Sequence, residues 1–454
     1  MSIKSINPAT EEEIYSFEQI SENELHKKLG NADNAFDRWK EFSFTQRADL
    51  LLAAANYLEA NKKELGRQMA LEMGKPIKQA VAEAEKCALV CKYYAENGEK
   101  FLQPAEYKTS YTKSMAIPRP LGIVYAIMPW NFPFWQVFRC AVPATMAGNV
   151  VMLKHAENVP NCAQLIETVF RESGFPDGVF TTLLIDHAQS NKVINYRGVQ
   201  GVSVTGSELT GKTVAGLAGK QIKRTVLELG GSDPFIVLKD ADIAKAASVG
   251  VDARMQNNGQ SCIAAKRFIL DREIADEFIE LFIEKAEELH IGDPLNEETE
   301  MGPMARKDLR DELDSQVKAT VKKGGKILSG GEIPLGRGWY YPPTVITDIP
   351  KDSAAYKEEL FGPVASMFVV RNEEEAINLA NGTTFGLGAS LWTKDTDRAQ
   401  KLAQKIESGS VYINTMVVSN PALPFGGVKR SGYGRELSDV GIREFVNVQT
   451  VVVG

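Results

Sequence analysis

Cys262 closes the polar run Gln256-Asn257-Asn258-Gly259-Gln260-Ser261, which would make a poor core segment and a good loop at a site. A thiol placed there is a candidate nucleophile, because a thiolate adds to carbonyl carbon and carries the acyl group as a thioester. Lys266 and Arg267 follow a few residues on and would favour the thiolate. Glu228 ends an apolar run and precedes Leu229-Gly230-Gly231. A carboxylate in that position is costly unless partnered, and partial burial moves it toward general-base duty. A core cysteine and a buried ion pair leave the same trace, so neighbouring residues must decide.

Two further turns carry chemistry. Pro129-Trp130-Asn131-Phe132-Pro133 follows the apolar run that ends at Met128, and the Asn131 amide is a donor able to hold an oxyanion. A turn-capping asparagine would look the same in isolation. Thr205-Gly206-Ser207 follows another such run and opens a helical stretch, where Ser207 and helix N-terminal N–H groups suit a pyrophosphate. It does not match the GxGxxG dinucleotide fingerprint.

The elements that must position these turns alternate. Three helical segments are expected between Glu22 and Phe101, including Arg47 to Leu58 and Ala80 to Tyr94. From Leu121 the texture changes to short apolar runs (Leu121 to Met128, Asn149 to Lys154, Gly201 to Thr205) separated by helical stretches and glycine turns. A second set follows Gly231, at Pro234 to Leu238, Arg267 to Leu270, Val364 to Val370 and Gly388 to Trp392. The alternation predicts two α/β domains joined near Gly230-Gly231, each a parallel sheet covered by helices. Tyr107 to Ile117 and Phe445 to Val453 alternate like half-solvated strands and fit neither domain. They read equally as an ordinary antiparallel edge ribbon or as a subunit contact.

The 454 residues exceed what one core supports, so two or three domains are expected. A net charge of −7 with both signs interspersed argues against nucleic-acid or anionic-membrane partners and for a small diffusible substrate. The N-terminus has no long apolar stretch, so no signal peptide or membrane anchor is expected and the reading is cytoplasmic. Five cysteines at irregular spacing suit reduced thiols, with Cys87 and Cys91 on one helical face as packing residues. Four histidines, none near another His or Cys at ligand spacing, give no metal site.

Taken together and in this order, Pro129-Trp130-Asn131-Phe132-Pro133, Thr205-Gly206-Ser207, Glu228-Leu229-Gly230-Gly231, Gly259-Gln260-Ser261-Cys262, Glu359-Leu360-Phe361-Gly362-Pro363 and Pro424-Phe425-Gly426-Gly427 resemble the aldehyde dehydrogenase superfamily. The resemblance implies an α/β fold with a variant Rossmann coenzyme domain (1–106 and 122–230), an α/β catalytic domain (231–432) and a small β oligomerisation flap (107–121 and 433–454) in a homodimer or homotetramer. It makes Cys262 the nucleophile, Glu228 the general base, and Asn131 with the Cys262 backbone N–H the oxyanion hole. Glu359 and Phe361 match residues at the nicotinamide ribose, and Trp130, Lys154, Gly206, Ser207 and Leu229 match other cofactor contacts.

Glu157 falls where a carboxylate accepts from the adenosine 2′-hydroxyl and repels a 2′-phosphate, which predicts NAD as the preferred coenzyme with NADP second. Arg139 stands where most of the family has an apolar residue, and a cation lining the substrate tunnel would pair with a distal carboxylate. Together with Ser419 it resembles the succinate-semialdehyde dehydrogenases, and Ser261 beside Cys262 is a further candidate substrate contact. Glutarate semialdehyde, a broader aldehyde range and aminoaldehydes stay open as substrates. An acylating coenzyme A enzyme is disfavoured by Glu228, and a non-catalytic relative by Cys262, Glu228 and Asn131 together.

Overall fold

The computed structural model describes residues 2–454. Three helices, Glu22–Trp39, Phe44–Met73 and Ile77–Phe101, open the chain after a small antiparallel hairpin of Ser2–Ile6 with Glu13–Glu18. Their ends are written locally. Ser21 and Ser43 cap the first two, Ser43 and Gln46 form a reciprocal capping box, and Gly74 at φ 80° ends the second before Pro76. The buried stripes Leu51, Ala54, Ala55, Leu58 and Ala80, Ala84, Cys87, Ala88, Cys91 face one another at helical spacing.

The first sheet is ordered Gly432–Tyr433, Arg224–Glu228, Val199–Thr205, Ile123–Met128, Val150–His155, Phe180–Thr182. Every pairing is parallel except that of Gly432–Tyr433, which lies antiparallel on Arg224–Glu228. From Ile123–Met128 the chain builds outward to one side, then returns to add strands on the other. A crevice therefore opens between the carboxyl ends of Ile123–Met128 and Val199–Thr205, the place where open α/β sheets bind ligands. Pro129-Trp130-Asn131 and Thr205-Gly206-Ser207 are the residues at that crevice.

The second sheet runs Lys326–Ser329, Thr344–Thr347, Val364–Val370, Ala265–Asp271, Asp233–Val237, Gly388–Trp392, Ser410–Ile413, parallel but for its first strand. A third sheet joins Val446–Val453, Lys113–Pro120 and Ala105–Glu106 antiparallel. The two alternating segments thus pair with each other. Their limits differ from expectation: the strand expected from Tyr107 starts at Lys113, and the chain from 432 to 445 belongs with the first sheet. Gly432–Tyr433 extends that sheet, and Leu437, Ile442 and Phe445 are buried in its core. Local alternation marks a strand, but only packing decides which sheet takes it.

Phe445 anchors the C-terminal strand. Its ring occupies the space that a side chain at Gly201 would need, and its carbonyl accepts from Asn149 Nδ2 at 3.0 Å. Phe445→Ala is expected to cost about 3–5 kcal/mol, read as a lower denaturation midpoint with the first domain's core fluorescence changing in the same transition.

Candidate active site

Cys262 is held by backbone geometry that few residues tolerate. Asn257 (φ 55°), Asn258 (φ 59°) and Gly259 (φ 73°) are successive left-handed residues. The asparagines are held there by hydrogen bonds from their side-chain amides. Asn257 Nδ2 donates to the Asn131 carbonyl (2.7 Å) and the Gln260 carbonyl (2.9 Å). Asn258 Nδ2 donates to the carbonyls of Gly74 and Pro303, and its Oδ1 accepts from Gly302 N. A Cβ on Gly259 would run into the backbone of Gly362 and Pro363, which is why a Gly-Pro motif distant in sequence is tied to the nucleophile loop.

Arg254 clamps both segments. Its fully buried guanidinium donates to the carbonyls of Gly259 (2.8 Å), Leu360 (3.2 Å) and Gly362, and to Ala265 (3.3 Å). Burial pulls its pKa down to about 9. On the other side, Gly231 lets the Cys262 carbonyl approach, since a Cβ there would sit 2.8 Å from that oxygen. Lys266 Nζ caps the carbonyls of Ser261 and Cys262 at 2.8 Å each and pairs with Glu359 at 3.2 Å.

Asn131 is oriented before any substrate arrives. Its Oδ1 accepts from Gln136 Nε2 at 3.0 Å and its Nδ2 donates to the Gln260 carbonyl at 3.0 Å. An amide nitrogen has two hydrogens, so one N–H remains for a developing oxyanion. Asn131, Gln136, Glu228, Cys262, Glu359 and Phe361 line one cavity.

Glu228 terminates its strand, is buried, and has no hydrogen-bond partner for either carboxylate oxygen among the described residues. Gly426 makes room for it: a Cβ there would stand 2.5 Å from Glu228 Oε1. Burial, then the nearby Glu436 charge, hold the Glu228 carboxyl well above the usual range. Burial likewise pushes the partly exposed Cys262 thiol up to about 11, against the opposing pull of Arg139 and Lys266. This differs from the cation-stabilised thiolate expected from sequence. Arg267 turns away to the carbonyls of Ser232, Leu379 and Ala380, and Lys266 alone does not offset desolvation.

The cavity continues past Trp130, Thr205, Gly206 and Ser207 into a larger one that reaches Lys154 and Glu157. A single elongated ligand fits that connected path better than two small ones. Trp130 and Phe361 meet edge to face at 5.8 Å, and both line the Cys262 cavity. Glu359 accepts from Gly231 N at 3.2 Å, and a Cβ on Gly230 would collide with its carboxylate. Leu229 is buried beside Gly211, and Gly206 N donates to the Glu228 carbonyl. Ser207 is the N-cap of Glu208–Lys220 and accepts from Thr210 N, so its hydroxyl already serves the helix whose N-terminus faces the groove.

The substrate residues expected from sequence separate. Arg139 is buried, forms an ion pair with Glu436, and stacks over the Phe425 ring at 4.4 Å. It does not line the Cys262 cavity as a free cation, because Glu436, 297 residues later in the chain, neutralises it first. Ser419 is buried and accepts from Trp135 Nε1 (2.9 Å) and Lys86 Nζ (2.7 Å). Ser261 is buried next to the nucleophile, with no partner for its hydroxyl among the described residues. Arg254, Gln136, Glu436 and Lys86 are functional candidates that local sequence did not flag; only Arg254 and Lys86, charges within otherwise apolar helical runs, left a trace in it.

Residues 1–451 match the aldehyde dehydrogenase family, and the chain belongs to that family. It is 49% identical over 451 residues to the probable succinate-semialdehyde dehydrogenase [NADP(+)] of Synechocystis, covering 99% of each chain. It is 48% identical over 454 residues to the succinate-semialdehyde dehydrogenase [NADP(+)] of Mycobacterium leprae, again over 99% of each. The crystal structure of succinic semialdehyde dehydrogenase from Streptococcus pyogenes in complex with NADP+ superposes with a TM-score of 0.98 at 35% identity, over 99% of both chains. The α/β architecture and the membership suggested by the motifs are therefore secure.

The NAD preference drawn from Glu157 is overturned by the same relatives, whose names specify NADP(+). The physical reason lies in the groove. Glu157 is exposed at its rim, where a carboxylate can swing into water and its charge is screened. Lys154 lines the same stretch, and its ammonium has no hydrogen bond or ion pair among the described residues, leaving a cation to offset a phosphate.

Two substitutions test this geometry. Gly426→Ala is expected to displace the Glu228 carboxylate and lower kcat roughly a hundred-fold or more with folding intact by circular dichroism. Arg254→Met should cost about 3 kcal/mol in denaturant titrations and slow thiol alkylation of Cys262 to a different extent from bulk unfolding.

Proposed function

We propose that the protein oxidises succinate semialdehyde to succinate with NADP+ as hydride acceptor, through a thioester on Cys262. The observation that carries this reading is the convergence of Cys262, Asn131 and an unpartnered Glu228 on one cavity continuous with a dinucleotide-sized groove. Its support for the particular aldehyde is the similarity over nearly the whole chain to relatives named for that substrate.

The Cys262 thiol first gives its proton to solvent, and the thiolate adds to the aldehyde carbon. The resulting oxyanion is held by the remaining Asn131 N–H and the Cys262 backbone N–H. Trp130, Lys154, Glu359 and Phe361 would hold the dinucleotide, which when bound would supply the acceptor for the two-electron hydride. Loss of that hydride leaves a thioester on Cys262. Glu228 then takes a proton from water as the water attacks the thioester carbonyl; the C–S bond breaks, the departing thiolate recovers that proton from Glu228, and the acid product ionises to the carboxylate as it leaves. A base held above the ordinary carboxylate range takes that proton more effectively near neutral pH than a surface glutamate.

Both reacting groups have raised pKa values, so their active, deprotonated forms grow as pH rises. The rate should climb from neutral into alkaline solution, with Cys262→Ala inactive at every pH. A profile that falls above neutrality would contradict the assigned protonation states. On a panel of succinate, glutarate, aliphatic and amino aldehydes, NADPH formation should be fastest with succinate semialdehyde. Preference for an uncharged or cationic aldehyde, or for NAD, would defeat the proposed specificity.

A further inference from the structure

We propose that Gln79 and Glu83, which share one face of the helix Ile77–Phe101, are positioning residues that set the span between the nucleophile and the oxyanion donor. The inference rests on the roles given above to Cys262 and Asn131. Neither Gln79 nor Glu83 lines the Cys262 cavity, so each acts through the loop it holds.

Gln79 holds the nucleophile loop. Its Oε1 accepts from Asn257 N at 2.7 Å, and Asn257 opens the left-handed run that leads to Cys262. Asn257 is buried and has just left the helix Ile243–Met255, so without Gln79 its N–H would be an orphan donor. Gln79 Nε2 is tethered in turn to the Glu300 carbonyl at 3.3 Å. Just before the helix begins, the Gly74 carbonyl accepts from Asn258 Nδ2 at 2.8 Å. Two successive residues of the nucleophile loop are therefore fixed to one helix start.

Glu83 holds the oxyanion turn. Its Oε1 accepts from Phe134 N and Trp135 N at 2.9 Å each, where the chain leaves the turn carrying Asn131 and enters the helix Trp135–Met146. Its Oε2 pairs with Lys75, whose ammonium lies 4.1 Å from the Phe132 ring centroid. Both members of that pair are buried, which shields it from salt. Glu83 stands one helical turn past Gln79, a rise of about 6 Å. The Asn131 turn follows a strand of the first sheet and the Cys262 loop precedes a strand of the second, so this helix face is their common footing. Asn257 Nδ2 closes the triangle by donating to the Asn131 carbonyl at 2.7 Å. A shift of about 1 Å between thiol and amide can cost roughly a hundred-fold in rate, which is the error this footing prevents.

The test is the first-turnover rate of NADPH formation at saturating succinate semialdehyde and NADP+. Gln79→Leu should lower it roughly ten-fold. KM for both substrates and the denaturation midpoint should stay near wild type, because Gln79 is only partly buried. Gln79→Glu keeps an acceptor for Asn257 N and should restore most of the rate. At Glu83 both charges of the buried pair are removed together. Lys75→Met with Glu83→Gln keeps an acceptor for Phe134 N and Trp135 N and should retain most of the rate, whereas Lys75→Met with Glu83→Leu should lose it. A wild-type rate in Gln79→Leu, equal rates in Gln79→Leu and Gln79→Glu, or a folded Lys75→Met, Glu83→Leu protein as fast as wild type would overturn the assignment. An Asn131→Ala protein as fast as wild type would instead remove the oxyanion role itself, and this inference with it.

Discussion

The left-handed run Asn257-Asn258-Gly259 is the constraint on which the rest of the site depends. Each left-handed residue is strained on its own, and three in succession persist only because the surroundings over-determine them. Asn257 and Asn258 secure the turn from within, while Arg254 ties it to the backbone of Leu360 and Gly362. The turn aims Cys262 toward the carboxyl ends of the first sheet, although the loop itself belongs to the second. One contact set thereby joins the Cys262 loop, Asn131 and the segment that carries Glu359.

Electrostatics at the site follow from burial more than from pairing. Burial raises the pKa of both Cys262 and Glu228, so each gives up its proton less readily than an exposed counterpart would, which lessens the cost of an isolated buried charge. Arg139 and Glu436 satisfy each other close by, which keeps a guanidinium in the neighbourhood without exposing it to substrate. The glycines of the motifs fit the same logic. Gly230, Gly231 and Gly426 are the positions where a methyl group would strike Glu359, the Cys262 carbonyl or Glu228. They let charged groups approach through a crowded interior.

Much of this was legible in the residues. The helical segments expected at Arg47 to Leu58 and Ala80 to Tyr94 lie inside longer helices, and strands such as Val364–Val370 and Gly388–Trp392 coincide with their apolar runs because both faces of a parallel sheet are buried. Cys262 and Glu228 stood out as polar groups beside glycine-containing turns, and Asn131 as an amide in the turn after an apolar strand. Long-range pairing was not legible. Nothing local shows that Glu436 would take the charge of Arg139, that residues 432–445 would pack on the first sheet, or that Ser419 would meet Lys86 across 333 positions of sequence. The coenzyme inference from Glu157 failed for a related reason: one carboxylate was weighed without the exposure that screens it or the lysine that faces it.

The central claim is that Cys262 carries the acyl group and Glu228 activates the water that removes it. Intact-mass spectrometry of Glu228→Gln mixed with succinate semialdehyde and NADP+ tests both parts together. The account predicts one NADPH formed per active site in a burst, with a single succinyl group retained on the peptide containing Cys262. A variant that turns over steadily without an adduct, or an adduct on any other residue, would contradict it.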